Sequence, residues 1–338
     1  MEREPTTGSR VTIYLVIIVT GMLDHETPVV NGLRHVVFGV DDPRVRATWR
    51  FLLAWPLLPL VGALVSLVMP VLGLSGMIPG GPLQGISFLV ILLGWARFID
   101  RRPLSDYGVS LSASWGLQLL VGFAVVVGVW SGWHVLASSL GWMRIDWSMA
   151  ALQGVVGFKL VGALVSLAIN TWVQDVVFFA IVLAGAAEGL RSRDVESRRA
   201  VIGGWLVGAI FFTAIHETPT LLDFLGTFVS GLVFGLLYVH TGELALTIGV
   251  HWGSSYAAGF VFPRRSMARQ GTSLFQVTEL GPLAKGMGIP LVLYPATYLL
   301  LVLWLRHAGG ELSIETGLAE WTGRGAGLLG IDRGTVEG

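Results

Sequence analysis

Cysteine is absent from this 338-residue chain. That excludes disulfides, thiolate metal ligands and a cysteine nucleophile, and it leaves the redox compartment unmarked. Charge is scarce as well: 13% of the residues are Asp, Glu, Lys or Arg, against roughly a quarter in an ordinary soluble domain. The charges that remain balance at 22 basic and 22 acidic, so no net field points to nucleic acid or to an acidic partner. No long internal repeat is present. The dipeptide His216-Glu217 begins like the His-Glu-x-x-His helix of zinc proteases, but Thr220 stands at the fifth position and the motif fails.

What the chain has in abundance is apolar sequence, 53% of it hydrophobic. Runs of about 20 apolar residues recur, which predicts an all-α polytopic transmembrane helix bundle of about eight or nine spans. Residues 1–50 form an N-terminal segment whose one short apolar run, 11–23, superficially resembles a signal peptide. No small-residue cleavage site follows it, so it is read as retained. The basic cluster Arg44, Arg46 and Arg50 closes that segment. The transmembrane domain covers 51–306, with spans at about 51–74, 83–98, 116–140, 201–217, 221–239, 244–262 and 289–306. The Gly-rich polar tail 307–338 is expected to be loosely ordered.

Arg97, Arg101 and Arg102 belong on the cytoplasmic side by the positive-inside rule, and Trp130, Trp133 and Trp142 fit an interfacial belt. The stretch 149–190 reads either as two spans broken at Asn170-Thr171 or as one long kinked span. The first alternative sends Arg191, Arg193, Arg198 and Arg199 outside; the second sends Arg264, Arg265 and Arg269 outside. The charge rule leaves both open.

Polar side chains inside apolar spans are costly and mark sites or pathways. His216 ends one span, with Phe212 one helical turn before it, and His251 lies within another, with Ser255 one turn after it. Two packing histidines bonded to backbone or serine are the plainer alternative. Ser255 with His251 suggests a Ser/His pair, but no third orienting residue lies nearby in sequence. Gln174 and Asp175 enter the run that follows Trp172. A carboxylate there costs on the order of 2.5–3.5 kcal/mol, so something must compensate it. If 172–190 and 201–217 are antiparallel neighbours, Asp175 falls beside His216, as an acid/base pair or as a structural hydrogen bond. Lys159 is the mid-span cation, while Asp223 and Glu243 sit near span ends, where solvation is the default.

The order of these segments resembles the CPBP family of intramembrane proteases, which includes CAAX prenyl endopeptidases and bacteriocin-processing or self-immunity proteins. That family is marked by Glu-Glu-x-x-x-Arg, then Phe-x-x-x-His, then His-x-x-x-Asn or Asp. The second motif is intact as Phe212-Thr-Ala-Ile-His216; the third keeps His251, with Ser255 in place of Asn or Asp. Arg101 to Val109 resembles the basic, Gly-containing segment upstream, and the likeness covers about 97–262. In the first motif Gln174 and Asp175 stand for the glutamates and Phe179 for the arginine.

The resemblance implies an intramembrane endopeptidase, a multi-pass protein of the cytoplasmic membrane that cleaves a peptide or lipidated protein near the membrane surface. Its catalytic residues would be Asp175, His216, His251, Gln174 and Ser255. His216 orients or deprotonates water, and His251 with Ser255 stabilises the oxyanion. Gln174 positions water through its amide but cannot accept a proton. His216, His251 and Asp175 also form a possible zinc (Zn) set, though the same roles can be written without metal. Two alternatives remain: a catalytically inactive scaffold or immunity protein on this fold, and a proton-coupled transporter using Lys159, Asp175 and the histidines, which lacks inverted repeats.

Overall fold

The computed structural model describes residues 36–38, 44–71, 82–147, 155–263, 273–280, 289–309 and 312–320. The apolar run of 11–23, the arginines of 264–269 and the side chain of Lys159 lie outside the described residues. Helix α1 (Ala47–Ala54) leads into α2 (Leu57–Val71), and α3 (Pro82–Gly94) continues as a π-helical turn, Trp95–Asp100. The Ser112 hydroxyl accepts from the Trp115 N–H at 3.1 Å and so starts α4 (Ala113–Ser139). After β1 (Met143–Asp146), α5 (Val155–Asp175) runs through a π-helical stretch, Val176–Leu183, into α6 (Ala184–Arg191). Helix α7 (Ser197–Ala214) is capped by the Glu196 carboxylate. Helix α8 (Leu221–Thr241) is capped by Thr220 and stopped by Gly242, whose φ of 64° is cheap only without a side chain. Helix α9 (Ala245–Tyr256) ends in a π turn, Ala257–Val261; β2 (Gln276–Glu279) and α10 (Tyr294–His307) follow. Strand β1 pairs antiparallel with β2, Met143 opposite Glu279.

Among the described residues, five stretches are long and apolar enough to cross a membrane: Ala47–Val68, Ala113–Ser139, Leu160–Arg191, Leu221–Thr241 and Pro290–His307. This is an integral membrane helical protein, but among the described residues the expected eight or nine spans of that length and hydropathy are not reached. Helix α9 and its π turn, of 12 and 5 residues, fall short of the about 20 that a full span requires.

The break at Asn170-Thr171 does not exist. Both residues sit inside a continuous helix, because the Thr171 hydroxyl donates to the Leu167 carbonyl at 2.8 Å and Asn170 accepts from Gln174. Polar side chains satisfied along their own helix do not interrupt it. The single long helix therefore delivers the Arg191–Arg199 turn to the same end of the bundle as Arg101 and Arg102.

That end is tied together by ion pairs. Arg50 bonds to both Asp100 and Glu188, Arg102 pairs with Glu188, and Tyr107 donates to Asp100 at 2.7 Å. Arg44 lies 3.5 Å from Glu188. Arg44 and Arg50, expected in a polar basic cluster, are buried. Burial alone would raise the Asp100 pKa, but Arg50, Arg102 and the Tyr107 hydroxyl hold it below the usual carboxylate range. The Tyr107 phenol is pushed well up by burial and by Asp100. Leu244 N–H donates to the Gly108 carbonyl at 2.9 Å, and Glu315 N–H to the Val239 carbonyl at 2.8 Å. Part of the tail expected to be loose is thus docked on this end, with Leu318 and Ala319 buried.

Close helix contact positions α9. A Cβ on Gly249 would lie 2.2 Å from the Leu119 carbonyl oxygen, and one on Gly253 would lie 2.9 Å from that of Phe123. From α4, a Cβ on Gly122 would meet the Leu246 carbonyl at 2.8 Å. Glycine at these crossings lets the two backbones touch, and His251 sits between the two contact points of α9.

Candidate active site

Asp175 is the last residue of α5, at the entry to the π-helical stretch, a local widening that often falls at functional positions. His251 is on α9. Its Nδ1–H donates to Asp175 Oδ1 at 2.8 Å, between groups that are 6% and 0% exposed. Antiparallel neighbours in sequence would set Asp175 beside His216; the structure sets it on His251 instead. The reason is geometric: α9 packs against α5, and the glycine contacts with α4 set the level at which His251 meets it. The Phe234 ring stacks on the His251 imidazole with centroids 4.9 Å apart, and Phe212 meets it edge-on at 5.5 Å.

His216 lies just past the end of α7. Its Nδ1–H donates to the Phe212 carbonyl at 2.7 Å, and its ring is 4.4 Å from the Phe212 ring. One phenyl ring therefore touches both imidazoles. In each histidine Nδ1 is committed as a donor, to a carbonyl in one case and a carboxylate in the other, so Nε2 is the nitrogen left for chemistry.

Both histidines line a cavity of about 290 Å³. Its polar lining also includes Ser255, Ser254, Ser230, Thr227, Glu217 and Asp223; Trp130, Phe212, Phe234 and Tyr294 supply apolar walls. Of the residues expected at the site, His216, His251 and Ser255 come together here. Asp175 does not line the cavity but sits behind His251. Gln174 is elsewhere, its amide donating to Asn170 one turn back on α5. Phe179, at the arginine position of the first motif, is 0% exposed and packs on Phe212 and Phe234 with centroids 5.9 and 6.4 Å apart.

Several lining residues are not evident from sequence. Trp130, expected in an interfacial belt, is 3% exposed and faces the cavity. Asp223, expected in solvent, lines it too. A signal for it is present: Thr220-x-x-Asp223 is a capping pattern, and the Thr220 hydroxyl donates to Asp223 Oδ2 at 2.6 Å, which holds the carboxylate against the first turn of α8. Ser230 and Glu217 carry no comparable signal.

The expected zinc set does not converge. Asp175 is not among the residues that line the cavity, and its Oδ1 is engaged by Nδ1–H. Among the described residues no group of three or more His, Asp or Glu side chains is placed to hold a metal ion. A third protein ligand is what a catalytic zinc would require.

Residues 156–257 match the family model described as type II CAAX prenyl endopeptidase, Rce1-like. The match contains Asp175, His216, His251 and Ser255; Trp130 and Tyr294 come from helices outside it. No curated protein and no solved structure matches the chain.

Proposed function

From the match of residues 156–257 to the Rce1-like family of the CPBP proteases, we propose that this protein is an intramembrane endopeptidase of the cytoplasmic membrane. It hydrolyses a peptide bond at a two-histidine site near one membrane surface. The observation that carries the reading is the convergence of His216 and His251 on one cavity, with Asp175 holding His251 from behind.

In this reading His216 Nε2 takes a proton from water as the water oxygen bonds to the scissile carbonyl carbon. The developing oxyanion accepts hydrogen bonds from His251 Nε2–H and the Ser255 hydroxyl. A ring that donates from both nitrogens is an imidazolium, and the Asp175 carboxylate stabilises that charge. The tetrahedral intermediate collapses, the C–N bond breaks, and the amine leaves with the proton held by His216. Gln174 has no part in this scheme. The test is cleavage of a quenched peptide library, prenylated C-terminal peptides included, by purified protein in detergent. Cleavage is expected in the wild type and lost in His216→Ala and in His251→Ala; turnover that survives both substitutions sinks the reading.

The placement of Gln174 and Phe179 favours a second reading, in which the cavity binds a peptide or lipidated segment without cutting it. Saturable peptide binding with no turnover would select it. A proton-coupled carrier gains less support, because Phe178, Phe179 and Phe234 are fully buried and pack around Phe212, the ring that touches both histidines.

A further inference from the structure

The cavity opens at one end of the bundle. Along α9 and its π turn the lining runs from His251 through Ser255 to Gly259, eight residues or about 12 Å of helix. Along α8 it runs from Phe234 and Ser230 out to Asp223 and Leu222, at that helix's first turn. Glu217, on the α7–α8 connection, and Pro290, at the start of the Pro290–His307 stretch, line it as well at the same end. This end carries the β1–β2 pair, and Leu280 N–H donates to the Trp142 carbonyl there at 2.8 Å.

More of the arginines lie at the other end. Arg97, Arg101 and Arg102 follow α3, Arg191 ends α6 and Arg193 follows it, and Arg198 and Arg199 begin α7. The Arg102–Glu188 pair joins the first group to the second. At the cavity end, β1 carries Arg144; by sequence alone, the connection from α9 to α10 holds Arg264, Arg265, Arg269 and Lys285. Basic residues on short connections mark the cytoplasmic side, and the excess is on the face away from the cavity.

We infer that the site takes its substrate from the extracytoplasmic side. This rests on the endopeptidase reading and names its substrate class: an exported peptide, or an extracytoplasmic segment of another membrane protein. A lipidated C-terminal tail made in the cytoplasm would meet the opposite face.

The absence of cysteine makes the test direct, since each single-cysteine variant carries one thiol. Pro219→Cys places it on the α7–α8 connection beside the cavity, and Ser192→Cys places it on the α6–α7 connection, both at exposed positions. A membrane-impermeant maleimide applied to intact cells is expected to label Pro219→Cys at least about tenfold more than Ser192→Cys, with the two equal after detergent lysis. The reverse pattern, or equal labelling in intact cells, overturns the inference. Leu221→Cys, at a position 72% exposed, replaces Pro219→Cys if that variant does not accumulate. A membrane-impermeant quenched peptide given to intact cells, with His216→Ala as control, is expected to be cleaved at a rate that lysis changes by less than about twofold. Cleavage that appears only on lysis also overturns the inference. Absence of cleavage before and after lysis sinks the endopeptidase reading, while the labelling still decides the orientation.

Discussion

His251 and Asp175 are 76 residues apart in sequence and 2.8 Å apart in the bundle, with the carboxylate fully buried and its Oδ2 without a hydrogen-bond partner among the described residues. In the proposed reaction a carboxylate this deep acts only through the imidazole it holds. Asp175→Asn keeps an acceptor oxygen and removes the charge. Peptide cleavage is expected to fall by on the order of 10²–10⁴-fold in kcat, with KM unchanged and a stability loss of about 1–3 kcal/mol. An unchanged kcat in a folded variant would mean that His251 works without its partner.

Metal removal separates the two ways of writing the site. Because Asp175 is spent on His251 and lies outside the cavity lining, the cleavage rate is expected to be the same before and after extensive chelation. A rate that collapses with chelator and returns on adding zinc would require a ligand set different from His216, His251 and Asp175.

Gly249→Ala tests the contact that sets the height of His251. Its Cβ would meet the Leu119 carbonyl oxygen at 2.2 Å and the Phe123 nitrogen at 2.9 Å, both backbone atoms that cannot swing aside. Thermal unfolding in detergent is expected to show a loss of about 1–3 kcal/mol, with cleavage falling in parallel as α9 is pushed from α4. Gly128→Ala, with open space at its Cβ position, is the control and is expected to leave both unchanged.

The ionic cluster makes a pH prediction. Asp100 is held below its unfolded pKa of about 3.9, so its contribution to stability is full above that value. The contribution is lost as pH falls through the lower folded value. Asp100→Asn is expected to flatten the fall in unfolding temperature below about pH 4. Glu188→Gln, which leaves three arginines with one fewer anion, is expected to cost about 3–5 kcal/mol at neutral pH. A loss under about 0.5 kcal/mol would show that water reaches the cluster and screens it.

Much is legible before any tertiary structure. Composition alone makes this a membrane helical bundle, because so few charges cannot clothe a soluble surface. The spacing Phe212 to His216 and the placement of His251 and Ser255 point to the residues that line the cavity, since polar groups in apolar spans need partners wherever they face. What local sequence could not decide were relations between helices. The pairing of Asp175 with His251 rather than His216 depends on how far α9 slides along α4 before Gly249 and Gly253 meet backbone. The continuity of α5 through Asn170 and Thr171 depends on side chains that bond inward along their own helix. The placement of the cavity at the end opposite Arg102 and Glu188 follows from that continuity, because one helix instead of two reverses every later crossing.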